Sequence, residues 1–378
     1  MKKVIIVLAA LMVISLFVVS GSQASAAEQT YTWKMAQYHP VGSMLDGMSK
    51  EFIRRVEEGS NGRISIRYYP GDLLGDYIVQ QEAVTSGSLE FAYTGPVTKS
   101  SPKWDIFTMG YTGWNIEHGK DKFGVDGWMF EVWDDICKDC NWKLLSIAPG
   151  GSIIGGECVI SSKSFDPLNP DGIKLRVMAA DNLLVRWKAL GYNPVIMPFS
   201  EISSALALNT IDASAGCTAQ EFTVFGDAFN YAYALNDVQT AIPLIMNLKL
   251  WNSLSEEDQK LIMESADFTN DPNFGWDAWK VAVEKDYNNN LLPWQIIVTL
   301  DGDQWATLAE KARAAEWPAI EEKIGKELMD KIKANVPPLP WGKTLDEMNY
   351  GWGKIFTTEW LEARQGAVYS KNPPPVKK

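Results

Sequence analysis

The sequence predicts an α/β fold with two lobes, mixed sheets, a chain that crosses between the lobes, and long helices toward the C-terminus. Three observations support this prediction. Strand-like and helix-like segments alternate through most of the chain, which is typical of α/β domains. The alternation starts again after Gly150-Gly151. The chain has 378 residues, more than one hydrophobic core usually supports.

The first lobe begins with a β-α-β-α-β pattern. Residues 43–58 are predicted as a helix because Met44, Met48, Phe52 and Val56 recur at helical spacing. The predicted strands are 31–36, 63–69 and 89–93, and the second predicted helix is 77–86. This order favours a mostly parallel sheet.

The second lobe repeats the pattern with shorter strands. The predicted strands are 158–161, 173–178, 194–197 and 211–214, and the predicted helices are 181–190 and 200–208. The apolar run 240–250 is too long for a short connector, so we expect the chain to return to the first lobe there. Helices are predicted over 273–291 and 302–333.

These segments give expected domain limits. The limits are a signal peptide at 1–26, lobe one at 27–150 and 238–272, lobe two at 151–237 and 273–340, and a C-terminal extension at 341–378. The Pro-rich end of that extension, which contains Pro373-Pro374-Pro375, is expected to be disordered.

The N-terminus has the pattern of a cleaved secretory signal. Lys2 and Lys3 precede an apolar run from Val4 to Val19, and Ala24-Ser25-Ala26-Ala27 fits the cleavage site. The apolar run is shorter than the roughly 20 residues that a membrane helix needs. We therefore expect export to the periplasm.

Composition excludes one class of partner. The formal net charge is −12, and loss of the two signal lysines would make it −14. Nucleic-acid binding requires a basic surface to neutralise phosphates, so it is not expected. The 16 tryptophans must fill cores or line a cavity.

The four cysteines do not predict a metal site. Cys137 and Cys140 lie three residues apart near the end of an amphipathic run, and Cys158 and Cys217 do not complete a zinc-ligand pattern. The Cys137–Cys140 pair is consistent with a local disulfide or with two free thiols, and the sequence leaves both open.

Catalytic motifs are scarce. His39 and His118 are the only histidines, and neither lies near a nucleophile motif. The sequence contains no Gly-x-Ser-x-Gly motif, no His-Glu-x-x-His motif and no phosphate-binding glycine loop. We therefore expect a protein that is not an enzyme and needs no cofactor.

Arg176 stands out as a ligand-binding candidate. It lies near the end of a predicted strand that follows the Pro170-Asp171-Gly172 turn. Ligands of open α/β sheets bind beyond the carboxyl ends of strands, and a guanidinium can hold a carboxylate through two parallel hydrogen bonds. An interdomain salt bridge is the alternative role for this arginine.

Three sequence blocks resemble the solute receptors of tripartite ATP-independent periplasmic (TRAP) transporters. The resemblance covers about residues 31–336, and the Trp104 to Gly156 stretch is most similar to the α-keto-acid branch. Gly172-Ile173-Lys174-Leu175-Arg176-Val177 resembles the family's "GlKiRv" signature. The other blocks run from Asn61-Gly62-Arg63 to Leu74-Gly75, and from Met197-Pro198-Phe199 to Ile211-Asp212-Ala213.

The resemblance implies a two-domain receptor that closes on an organic anion and delivers it to the membrane subunits of a TRAP transporter. It also implies that Arg176 holds the ligand's carboxylate. Asn209-Thr210 replaces the family's helix-ending glycine, but asparagine tolerates the left-handed conformation needed there.

Other departures affect the expected site. The keto-acid branch holds a cation through a glutamine and a Glu-Trp-Asn run, which Ile153 and Ala215-Gly216-Cys217 replace here. Isoleucine and alanine side chains cannot ligate a hard cation, so no metal is expected. Glu157 replaces a tryptophan common in that branch, and it could pair with a ligand hydroxyl or amine or simply face water.

The expected ligand site therefore contains Arg176 and Glu157, with several further candidates around them. These are Tyr38, Tyr69, Tyr93, Trp114, Phe199 and Cys217. For each aromatic residue, filling a core is the alternative role. A periplasmic sensor for a signalling kinase and a lyase acting on organic acids are the alternative functions.

Overall fold

A computed structural model provides the coordinates of the protein. It describes residues 29–39, 41–124, 127–149, 158–197, 201–219, 222–239, 241–348, 355 and 357–363. The predicted signal peptide and the predicted disordered end of the tail lie outside the described residues.

The first sheet has five strands in the order β2-β1-β3-β10-β4. β1 pairs in parallel with β2 and β3, whereas β10 runs antiparallel to both of its neighbours. Its strands are β1 (Tyr31–Gln37), β2 (Ile64–Tyr69), β3 (Phe91–Tyr93), β4 (Trp142–Pro149) and β10 (Ala241–Asn247).

The second sheet has six strands in the order β11-β9-β5-β8-β6-β7, and only β5 runs against the others. Its strands are β5 (Cys158–Ser161), β6 (Lys174–Val177), β7 (Asn193–Ile196), β8 (Ala213–Cys217), β9 (Tyr231–Ala234) and β11 (Ile296–Thr299). Both sheets are mixed, as predicted.

The chain crosses between the two sheets three times in the described strands: after β4, after β9, and again between β10 and β11. The predicted return of the chain near residue 240 corresponds to β10, which pairs with β3 and β4. The α/β fold with two sheets and chain crossings is confirmed. The residue limits of the two lobes stay a prediction.

Helices cover the sheets and form the C-terminal part of the chain. They are α1 (Met44–Gly59), α2 (Tyr77–Ser86), a 3₁₀ helix (Pro102–Thr108), α3 (Ile116–Phe123), α4 (Trp128–Asp139), α5 (Asp181–Ala189), α6 (Ile202–Ala207), α7 (Phe222–Phe225), a second 3₁₀ helix (Gly226–Ala228), α8 (Leu248–Trp251), α9 (Glu256–Ala266), α10 (Trp276–Asn289), α11 (Gly302–Ile324), α12 (Lys326–Asn335), α13 (Leu345–Met348) and α14 (Thr358–Ala363). No helix in the described ranges combines the length and the apolar character needed to cross a membrane.

Local capping explains why some elements match their predicted bounds. The side chain of Asp76 accepts hydrogen bonds from the first turn of α2, and Gly87 ends the helix with φ 78°. Asn209 has φ 56°, so the left-handed conformation expected for it after α6 is confirmed.

One predicted helix is interrupted. The prediction of a continuous helix over 302–333 is wrong, because Gly325 adopts φ 85° and separates α11 from α12. A positive φ of this kind is left-handed, and glycine adopts it without steric cost.

Helix α11 packs against parts of both chain halves. It contacts α5, which flanks the second sheet, and the 3₁₀ helix that follows β3 of the first sheet. The junction contains a buried ion cluster in which Arg186 of α5 faces Glu316 of α11 and Asp237 of the β9–β10 crossing. This junction holds the two sheets beside each other.

Candidate functional site

Arg176 lies at the meeting point of three strand ends in the second sheet. It belongs to β6, and its side chain is buried, with the residue only 5 % exposed. Its Nε donates to the carbonyl of Met197, which follows β7, at 2.9 Å, and its Nη1 donates to the carbonyl of Ala215 in β8 at 3.3 Å. These bonds fix the direction of the guanidinium.

The local sequence places this arginine. Asp171 and Gly172 take the left-handed conformation, with φ 47° and 74°, in the turn that starts β6. The parallel strands β6, β7 and β8 then end at the same edge of the sheet. Ligands bind at such edges in open α/β folds.

The first sheet presents an aromatic wall at its own carboxyl edge. Tyr38 follows β1, and its ring lies 5.6 Å from that of Tyr77, the first residue of α2, and 4.5 Å from that of His39. Behind this wall, Gln81 of α2 donates to the carbonyl of Gly95, which follows β3, at 2.7 Å. These groups come from strand ends and a helix start.

The two edges interact electrostatically. Burial raises the pKa of Tyr77, the charge of Asp76 raises it further, and the positive charge of Arg176 lowers it. The charge of Arg176 therefore acts on the first residue of α2, the helix that follows β2 of the first sheet. We call Tyr38, His39 and Tyr77 the aromatic wall.

Two other predicted residues also lie at strand ends. Tyr69 is half-buried at the end of β2. Cys217 is buried at the end of β8, with its Sγ 3.7 Å from the hydroxyl of Ser214. Cys217 is thus on the strand whose Ala215 carbonyl binds Arg176.

Tyr93 and Trp114 lie elsewhere. Tyr93 is completely buried in the core of the first sheet. Trp114 packs edge-on against His118 and against Trp305 of α11, with ring centroids 4.2 and 5.9 Å away. The structure therefore places Tyr93 in the core of the first sheet and Trp114 against α11.

Three predicted positions lie outside the described residues: Glu157, Phe199 and Ile153. Ala215, which replaces a cation-binding glutamate of the keto-acid branch, is buried in β8. Within the described ranges, no three His, Cys, Asp or Glu side chains converge as a metal site.

The four cysteines are buried thiols in the structure. Cys140 accepts a hydrogen bond from the indole nitrogen of Trp104 at 3.4 Å, and the thiol of Cys158 lies 2.8 Å from the hydroxyl of Tyr287. Of the two states that the sequence allows for Cys137 and Cys140, the structure contains the free thiols.

Sequence reasoning missed Tyr77 and His39 as neighbours of Tyr38. His39 lies two residues after the end of β1, and the same strand-end rule that singles out Arg176 would have identified it. Tyr77 had a weaker signal, because it opens a helix after an Asp cap and resembles an ordinary first-turn residue.

A surface depression lies elsewhere on the protein and is a different kind of feature. It has a volume of about 630 Å³ and lies along α11 and α12, lined by residues that include Arg313, Trp317 and Lys326. It is open and lies on the helices rather than at the strand ends. We do not assign it to the ligand site.

Fold and site together define a class. Two mixed sheets joined by chain crossings are the features of a two-lobed solute-binding protein. The family "Bacterial extracellular solute-binding protein, family 7" matches residues 35–313. The chain belongs to this family, whose members are non-enzymatic periplasmic receptors that capture solutes for TRAP transporters.

Curated relatives are distant and diverse. The sialic acid-binding periplasmic protein SiaP of Vibrio cholerae is 26% identical over 260 residues, which cover 67% of this chain and 78% of the relative. The C4-dicarboxylate-binding periplasmic protein DctP of Shewanella loihica is 23% identical over 335 residues, which cover 83% and 91%. The branch within the family is therefore not resolved.

Solved structures share the fold. A TRAP solute-binding protein of Sulfurospirillum deleyianum with bound succinate has a TM-score of 0.66 at 20% identity, covering 81% of this chain and 99% of that one. The ectoine-binding protein TeaA of Halomonas elongata has a TM-score of 0.68 at 22% identity, with the same coverage. At such identities the likeness concerns the fold alone.

Proposed function

We propose that this protein captures a small organic acid in the cleft between its two sheets and delivers it to the membrane subunits of a TRAP transporter after hinge closure. The observation that carries the proposal is the buried guanidinium of Arg176 at the strand ends of the second sheet, fixed by the carbonyls of Met197 and Ala215. Its charge also acts on Tyr77, which opens the helix after β2 of the first sheet. Closing the cleft removes water and strengthens an ion pair with a carboxylate.

The relatives support the same ligand chemistry. Ligands bound in similar structures include succinate and β-D-glucuronate, the latter in a protein of Roseobacter denitrificans with a TM-score of 0.70 at 17% identity, covering 80% of this chain and 99% of that one. Both are carboxylates. The sequence resemblance favours the α-keto-acid and C4-dicarboxylate branches, and this finer placement is part of the proposal.

The N-terminal segment fits the same function. Residues 1–26 have the pattern of a cleaved signal peptide, which would release the mature receptor into the periplasm.

Glu157 is proposed to face the ligand as well and to favour a hydroxyl or amino group beside the acid. Glu157→Gln should then change the order of preference among hydroxy, amino and keto acids, and an unchanged order would remove Glu157 from the site.

The role of Arg176 has a direct test. Arg176→Ala should weaken binding of the best acid from a thermal-shift screen by about 2–5 kcal/mol, because the ligand's buried carboxylate loses its partner. Arg176→Lys should restore only part of the affinity, since an ammonium cannot reproduce the two-pronged geometry. Calorimetric titration measures both effects.

The matched control is Arg67→Ala, which removes an exposed arginine of β2 in the other sheet. Melting curves of all variants separate binding from folding. If Arg176 serves only as an interdomain salt bridge, Arg176→Ala will melt earlier and still bind with an affinity within about threefold of the wild type. That result would refute the proposed carboxylate anchor.

A further inference from the structure

His39 stands at the carboxyl edge of the first sheet, where its ring lies 4.5 Å from that of Tyr38 in the aromatic wall. Building on the proposed function, we propose that His39 is a specificity residue whose imidazole hydrogen-bonds a hydroxyl or carbonyl oxygen of the bound acid. The site would then take a monocarboxylic acid with a neutral polar substituent in preference to a dicarboxylic acid. Of the two branches that the sequence resembles, this preference favours the α-keto-acid branch over the C4-dicarboxylate branch.

The position of His39 is fixed by its neighbours. Its backbone N–H donates to Oε1 of Gln37 at 2.6 Å, and the Gln37 amide donates back to the His39 carbonyl at 2.8 Å. Gln37 itself is completely buried. These hydrogen bonds brace the turn that carries the imidazole. The imidazole packs against the ring of Tyr38, and Tyr38 packs against Tyr77, on which the charge of Arg176 acts.

One atom of the ring is unsatisfied. The Nε2 of His39 is buried and has no hydrogen-bond partner within the part of the chain that the structure describes. Leaving a buried polar atom without a partner costs about 1–3 kcal/mol, so native structures rarely keep one without a reason. A ligand oxygen in the closed cleft would supply the partner.

The charge of the wall decides which ligand group fits. Burial lowers the pKa of His39 to about 4, so the imidazole is neutral near pH 7. Burial and the negative charge of Asp76 raise the pKa of Tyr77, so its phenol is neutral as well. Among the described residues the wall itself contains no cation, and a second carboxylate there would be repelled by Asp76.

A neutral oxygen suits this wall better. A hydroxyl can donate to or accept from Nε2, so it matches either tautomer of the imidazole, and a carbonyl oxygen matches the form with a proton on Nε2. The ligand's carboxylate would bind Arg176, and its neutral polar end would point toward the first sheet.

The test uses acids matched in carbon skeleton. Calorimetric titration would compare butyrate, 4-hydroxybutyrate and succinate, and then hexanoate, 6-hydroxyhexanoate and adipate, so that the hydroxyl lies at the end opposite the carboxylate. We expect the wild type to bind the hydroxy acid of at least one series about tenfold more tightly than both of its counterparts. His39→Phe should abolish the advantage over the plain acid, because phenylalanine keeps the ring and removes its nitrogens.

A rescue variant separates this role from packing. The amide nitrogen of glutamine reaches about as far as Nε2, so His39→Gln should keep most of the hydroxy-acid preference, and melting curves should show that all variants are folded. The inference is overturned if the wild type prefers the dicarboxylic acids, or if the hydroxy-acid preference survives in His39→Phe. The proposed function still stands in that case if Arg176→Ala abolishes binding. If no acid binds the wild type and Arg176→Ala changes nothing, the proposed function fails with it.

Discussion

Nη1 of Arg186 lies 3.2 Å from Oε1 of Glu316, and neither side chain has any accessible surface. The pair joins α5 to α11, and Asp237 of the β9–β10 crossing lies 3.2 Å from the same guanidinium. Glu316 also accepts hydrogen bonds from the Asn182 side chain and from the backbone of Gly110. A single buried cluster thus connects the second sheet, the crossing chain and the loop that follows the 3₁₀ helix of the first sheet.

Arg186→Met should destabilise the protein strongly. Removing the arginine leaves two buried carboxyl groups without their cation, and breaking such a pair costs about 3–5 kcal/mol. Burial already raises the pKa of both Asp237 and Glu316, so both would shift further toward the neutral form. Urea unfolding measures the loss.

The control for this variant is Arg54→Ala, which breaks exposed pairs with Glu51 and Glu58 on α1. Exposed pairs are worth about 0–1 kcal/mol, so this variant should unfold almost like the wild type. Equal losses in the two variants would mean that the buried cluster has no special stabilising role.

The thiols should be unreactive in the folded protein. Burial raises the pKa of Cys137 and of Cys140, which keeps both sulfurs in the poorly nucleophilic thiol form. Iodoacetamide should therefore label no cysteine in the native state and all four after denaturation without reductant. If mass spectrometry shows that Cys137 and Cys140 react only after reduction, these two cysteines form a disulfide in the exported protein.

How far the sequence predicts the fold depends on the local signal of each element. Helix α2 has its predicted bounds because Asp76 and Gly87 cap it, and the cap residues are visible in the sequence. The strands β4, β9 and β11 were not predicted. β9 reads Tyr-Ala-Tyr-Ala and is buried along its whole length, and short apolar runs without alternation do not reveal whether they are strand or helix.

The proposed ligand site could be predicted from the sequence only where a single residue accounts for ligand binding. Arg176 follows a recognisable turn and ends a strand, so a rule about strand ends is enough to select it. Tyr93 also ends a strand but is buried in the core, because it lies two residues after Phe91 on the same face of the strand, and Phe91 packs against Phe52 of α1. Which face a strand-end residue occupies depends on register, and a single sequence does not provide the register of a sheet with inserted crossings.

Ligand binding should not require a metal ion. Ala215 offers no side-chain oxygen at a position where the keto-acid branch has a cation-binding glutamate, and its carbonyl already accepts from Arg176. Dialysis against a chelator should leave the affinity for the best acid from the screen within about threefold, well under 1 kcal/mol. Restoration of a lost affinity by added Ca²⁺ would show that a cation is held after all.

The pH dependence of stability should contain a large contribution from Lys122. Its Nζ is buried, donates to the hydroxyl of Thr112 at 2.8 Å and lies 3.4 Å from the carbonyl of Gln239. No carboxylate forms an ion pair with it in the described ranges of the chain, and burial lowers its pKa from 10.5 to about 7. The folded protein therefore binds fewer protons than the unfolded chain between about pH 7 and pH 10.5.

Because the unfolded chain binds the extra proton, the free energy of unfolding should rise with pH across this window. Each unit of pKa difference is worth about 1.4 kcal/mol, so the full rise is on the order of 3–5 kcal/mol. Lys122→Met keeps the aliphatic chain and removes the titrating group, and its unfolding free energy should lack this rise. Urea unfolding at pH 7, 8.5 and 10 measures it, with Lys260→Met, an exposed lysine of α9, as the control. Parallel pH curves for the wild type and Lys122→Met would mean that the buried ammonium is fully stabilised by its neighbours.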